Sequence, residues 1–140
     1  MIYDLSRFIK AQKKDYQIAL SEIKTGKKRS HWMWYIFPQI IGLGNSPTSE
    51  YYAIQNINEA KAFLKDDYLA FNLNEICNAL LTLDSFDATE IFGKPDDMKL
   101  KSSMTLFALA SENKHNVFVE VLNKFYAGEY DRKTIDILSM

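Results

Sequence analysis

The chain has 140 residues, 47% hydrophobic and 25% charged, with a net charge of −1. That composition describes one globular domain long enough to bury a core. The near-zero charge argues against a duplex-DNA binder, which needs a basic face to displace counterions, but leaves room for a small anion at the local cluster Lys24, Lys27, Lys28 and Arg29. The longest apolar run, Trp32 to Pro38, is far too short to span a bilayer, and MIYDLSRF puts charge inside the first turns, against a secretion signal. The expected location is the cytoplasm.

Proline and glycine are sparse, and long breaker-free segments with 3.6-type apolar spacing predict helices over most of the chain. Residues 4 to 25 read as one helix or two short ones, with Asp4 as a cap and a polar gap at Gln12 to Asp15 where the helix would break. Gly26 suits the left-handed position after its end, with Lys24 complementing the helix dipole. A short helix is expected over 30 to 37, capped by Ser30 and ended by Pro38, followed by a loop to residue 48. Ser46-Pro47 starts another helix, because proline is tolerated in the first turn. Residues 58 to 65 form a short helix capped by Asn56 or Asn58.

Asp66 or Asp67 restarts the chain into the clearest amphipathic pattern, Leu69, Leu73, Ile76, Cys77, Leu80 and Leu83. Cys77 lies within that apolar pattern, so it reads as a buried inert thiol. Residues 84 to 93 read as a loop or short turn. Pro95 opens a helix running to about Ser111, with Asp96 and Asp97 in its first turn, where carboxylates suit the dipole. Residues 116 to 127 and a last segment capped by Asp131 complete the list. The sum is an all-α domain of six to eight helices spanning residues 1–140.

The chemistry concentrates in residues 27 to 44, KKRSHWMWYIFPQIIGLG. Four aromatics (Trp32, Trp34, Tyr35, Phe37) follow a basic run and a histidine. With Ser30 starting the helix, free N–H groups, the Lys28 and Arg29 charges and the His31 imidazole would meet at one positive end, an anion site. Trp32, Trp34 or Tyr35 would then receive a flat group by stacking. At spacing three, Trp34 and Phe37 share one helix face and Trp32 and Tyr35 another, so one pair would fill the core. His31 titrates near neutrality when unperturbed and is the acid/base candidate. The alternative is that Arg29 and His31 satisfy buried partners while the tryptophans pack. Ser102, with Lys101 beside it, either faces this site or lets helices approach closely. Asp96 and Asp97, neighbours about 100° apart on a helix, read as a solvent-facing pair rather than an acid/base couple. No HExxH, CxxC, GxSxG, P-loop or GxGxxG occurs, and His31 and His115 lack metal-ligand neighbours, so neither metal nor cofactor is expected.

The segments RSHWMWYIFPQIIGLG, YAI (52 to 54), DLSRFIKAQ, NEAKAFL and IFGKPDDMKLKSSMTLF resemble domain-of-unknown-function family 1810, sometimes labelled calpastatin-like, across nearly the whole chain. The resemblance implies an all-α single-domain fold and no assigned activity. Calpastatin-type inhibitors are disordered and polar, and this chain is neither. TSEYYAIQ, with the Glu-Ala that follows, is similar to NADAR proteins, tied to ADP-ribose and N-glycosidic hydrolysis. That similarity implies roles for Ser49 and Glu50 at the start of a helix. Two functional readings follow. One is a nucleotide-like or ADP-ribose-like anion site, with His31 or Glu50 as acid/base. The other is a non-enzymatic protein-interaction module whose aromatic cluster is core or docking patch.

Overall fold

A computed structural model describes residues 3–140. Nine helices are formed among them: α1 Ser6–Lys24, α2 Met33–Ile36, α3 Pro47–Tyr52, α4 Ile57–Lys65, α5 Asp67–Thr82, α6 Ala88–Phe92, α7 Asp96–Ala110, α8 Val117–Tyr126 and α9 Arg132–Leu138. The all-α class expected from the sequence is the class observed. The additional element is α6, where Asp87 accepts from the N–H groups of Thr89 and Glu90 and turns the anticipated loop into helix. Extended pairing among the described residues is limited to one isolated bridge, Ile40 with Ile54, which staples the loop after α2 to the end of α3.

Caps set most of the boundaries. Ser46, Asn56, Asp66, Asn116 and Asp131 each accept a first-turn N–H through their side chains. At the end of α1, Gly26 has φ +85°, and the bonds Gly26 N–H to Ile23 and Lys27 N–H to Glu22 close a Schellman turn. That turn reverses the chain into the basic run.

Helix α1 is continuous, contrary to the expected break at Gln12 to Asp15. Gln12 is buried and donates to the Tyr35 carbonyl at 2.8 Å, and its own oxygen accepts from Asn72 at 3.0 Å. Two facing helices satisfy this polar position, so the gap in the apolar stripe is an internal hydrogen-bonded joint.

Two helices organise the packing. α5 carries α1, and α7 carries α6 and α9, while α4 and α8 each touch both. Eleven of the fifteen residues of α7 are buried, and its exposed positions, Met98 and Leu109, are apolar, which explains why its sequence lacks a clean amphipathic pattern. Ser102, Ser103, Ala108 and Ala110 let neighbours approach, and Thr105 donates to the carbonyl of Lys101 while accepting from the N–H of Asp131 at the start of α9. Asp97 is also buried. It accepts from Thr89 at 2.6 Å and so does not lie on the solvent-facing side expected for it.

Candidate functional site

The basic run and the aromatic helix do not assemble as the spacing suggests. α2 starts at Met33, so Ser30 lies outside it and does not cap it. The donors at this turn are instead gathered on an internal anion, Glu22. Its carboxylate accepts from the N–H groups of Arg29 (2.7 Å) and Ser30 (3.0 Å), from the Ser30 hydroxyl, and from the Trp32 indole (2.9 Å). Burial works against the charge on Glu22, but these bonds overcome it and hold the carboxyl down to about 2. The expected helix-end anion site does not form; the donors of this turn are taken up by a carboxylate of α1.

The aromatics separate accordingly. Trp32, Tyr35 and Phe37 are all buried, Trp32 packing edge-on to Phe92 and near Phe37, with Tyr35 bonded to Asp15. They offer no face to a stacked ligand and no flat patch to a protein. Trp32 and Tyr35 go into the core together, as one pair was expected to, whereas Trp34 and Phe37 part, Phe37 lying just beyond the single turn of α2. Trp34 alone of the four is half-exposed, with the Lys99 ammonium 5.6 Å from its ring centre.

Trp34 borders a hollow of about 310 Å³ lined by Lys28, His31, Met33, Lys94, Pro95, Asp96 and Lys99. Lys28 is largely spent here. Its ammonium lies 2.9 Å from Asp96, 2.6 Å from the Ser30 carbonyl and 5.1 Å from the Trp32 ring centre, with a side chain only 9% exposed. Asp96 lies 3.6 Å from Lys99 as well. Lys94 and His31 are exposed at the rim. Arg29 and Glu50 are both exposed and line neither this hollow nor its neighbour.

The neighbour is a groove of about 1020 Å³ that shares Pro95 and Lys99 with the hollow. The 39–44 loop, α7, the α8–α9 turn and the start of α9 form its walls, and Lys101, Ser102, Glu129, Arg132 and Lys133 lie along it. Ser102 is committed to the Met98 carbonyl at 3.2 Å, and Ser49 reaches the groove from α3. The two concavities together hold six cations (Lys28, Lys94, Lys99, Lys101, Arg132, Lys133) against three carboxylates (Asp96, Glu129, Asp131), an excess of +3. On a chain totalling −1, the remainder carries −4, so positive charge is concentrated on this concave face.

A model of a protein family of unknown function, DUF1810, matches residues 2–138. The chain belongs to this family. The structure of a conserved hypothetical protein, Rv1873 from Mycobacterium tuberculosis, is similar at 43% identity and a TM-score of 0.94, covering 99% of this chain and 98% of that one. No curated protein matches. The DUF1810 fold is thus the all-α domain the resemblance implied, and neither comparison attaches an activity to it.

The structure therefore brings together Lys28, His31 and Trp34 in the hollow and Lys101 and Ser102 in the groove of this DUF1810 protein. It sets Arg29, Ser30, Trp32, Tyr35 and Glu50 apart from both. Lys94, Arg132 and Lys133 are the residues that sequence reasoning missed. Arg132 and Lys133 sit in a short polar stretch and Lys94 between Gly93 and Pro95, and only the packing of α9 and the α6–α7 turn around α7 carries them to one face. Among the described residues no cluster of three potential metal ligands forms, and no helix is long and apolar enough to cross a membrane.

Proposed function

We propose that this protein binds a small anionic, nucleotide-like ligand, of which an ADP-ribose-like molecule is one form, in the hollow beside Trp34. The observation that carries the reading is the half-exposed Trp34 ring with Lys99 beside it and Lys94 and His31 at the rim. Trp34 offers a flat group its π-face, and the ammonium groups offer a phosphate its countercharge. A hollow of about 310 Å³ lies in the size range of small-molecule sites. The phosphate-holding role passes from Arg29 and Lys28 to Lys94 and to Lys99, whose 3.6 Å approach to Asp96 is looser than the 2.9 Å pairing that holds Lys28. A hydrolytic step on an N-glycosidic bond would fall to His31 as acid/base. Glu50 lines neither concavity, so that step rests on His31.

The test is a thermal-shift series with AMP, ADP, NAD, ADP-ribose and sugar phosphates on wild type, Trp34→Ala, Lys99→Met and Arg29→Ala. A ligand at a hundred times its dissociation constant adds about 2.7 kcal/mol. The expected result is stabilisation of wild type and Arg29→Ala by at least one nucleotide, lost in Trp34→Ala and weakened in Lys99→Met. Chromatography of the same mixtures reads any release of free base. No shift with any probe rules the reading out and leaves the interaction module in its place, and a shift that survives Trp34→Ala rules out the hollow as the site.

A further inference from the structure

The groove beyond Lys99 contains an ion pair of unequal halves. The Lys101 side chain is 11% exposed and that of its partner Glu129 is 73% exposed. Lys101 projects from α7, the most enclosed helix of the protein, and its ammonium is 5.9 Å from the Tyr126 ring centre. Glu129 stands on the turn after α8, where Ala127 (φ 54°) and Gly128 (φ 79°) are both left-handed and its own N–H bonds to the Tyr126 carbonyl at 2.9 Å. Its backbone is thus held, while its carboxylate lies in solvent at the mouth of the groove.

A cation recessed in a groove wall needs a countercharge, and here that countercharge comes from the solvent side. An exposed carboxylate gives up such a pairing readily, because water resolvates it at once. A phosphate brings more charge and more acceptor oxygens to the same ammonium. Lys99, Arg132 and Lys133 line the same groove and would add to the attraction. The Lys101 hydrogen bond and charge hold the Glu129 carboxyl below its ordinary range, so it is ionised and competes at neutral pH.

We propose that Glu129 is a placeholder for a ligand phosphate. The groove takes a second anionic centre on Lys101, which Glu129 vacates, so the ligand class is a nucleotide carrying two phosphate groups or a pyrophosphate. The hollow takes the flat end, the groove takes the distal phosphate, and Lys99, common to both, lies between them. This deepens the nucleotide reading above and rests on it for the flat end only.

The experiment is calorimetric titration at low salt of wild type, Glu129→Gln and Lys101→Met with two probes, inorganic pyrophosphate and AMP. Trp34→Ala serves as the control for the hollow. Glu129→Gln removes the competing charge at an exposed position and should tighten pyrophosphate about tenfold, whereas Lys101→Met should weaken it at least tenfold. Trp34→Ala should weaken AMP and leave pyrophosphate unchanged. Pyrophosphate binding that is unchanged or weaker in Glu129→Gln overturns the placeholder, as does the absence of pyrophosphate binding in both wild type and Glu129→Gln. AMP binding that ignores Trp34→Ala overturns the hollow reading instead, so the two failures are distinguishable. Urea unfolding midpoints confirm that each variant is folded, and Glu129→Gln alone decides the matter if Lys101→Met does not fold.

Discussion

The strongest structural consequence of the internal anion is that Glu22→Gln should destabilise the protein measurably at neutral pH and hardly at all in acid. In the native state the carboxyl falls from 4.5 to about 2, which corresponds to about 3 kcal/mol of preference for the charged form. Glu22 is half-buried rather than sealed, and screening by solvent reduces that to about 1–2 kcal/mol. Glutamine also turns an amide NH2 toward a turn that presents only donors, namely the N–H groups of Arg29 and Ser30, the Ser30 hydroxyl and the Trp32 indole. The total should be about 2 kcal/mol, or roughly 5–8 °C in melting temperature for a domain of this size. The sign follows from the direction of the shift. A carboxyl lowered on folding contributes its full stability above the unfolded value of 4.5 and loses it as pH falls toward about 2. Urea unfolding of both proteins at pH 7, 4 and 2.5 measures the difference. A variant as stable as wild type at pH 7, or a gap that does not narrow between pH 4.5 and 2, refutes the reasoning. The variant also matters for the site, since this turn sets Lys28 and His31 at the hollow.

Two further outcomes are expected. Lys124 donates to the carbonyls of Leu80 (3.0 Å) and Leu81 (3.1 Å) and to that of Leu83, closing the end of α5, so Lys124→Met should cost about 1–2 kcal/mol in urea unfolding. A cost below a few tenths would mean that water replaces the ammonium freely. Burial pushes the Cys77 thiol up and seals it against the Met104 sulfur, so Ellman's reagent should label it at the global unfolding rate. Rapid labelling of native protein would contradict the burial of Cys77 against Met104.

The helices were largely legible because their signals are local. Ser46-Pro47, Asn56, Asp66 and Asp131 act on N–H groups within three residues, and Gly26 acts on its own φ. The misread positions share another property, since their partners lie far along the chain. Gln12 looked like a break because Asn72 and the Tyr35 carbonyl that satisfy it are distant in sequence. Asp97 looked solvent-facing because Thr89 approaches it from a helix that the sequence read as loop.

The candidate site divides along the same line. Sequence alone determined the all-α class, most helix starts, and the neighbourhood in which cations and aromatics meet, because composition, capping and apolar period are properties of short windows. Tertiary structure alone decided which of those groups remain available. Glu22 arrives from α1 and consumes the donors of the basic turn, and Asp96 arrives from α7 and occupies Lys28. Trp32 and Tyr35 go into the core while Trp34 stays at the surface, Lys94 joins it at the hollow, and Arg132 and Lys133 line the groove next to it. An ionic group is free or spent according to which charges and hydrogen-bonding atoms lie against it in space, and spacing along one chain does not specify that.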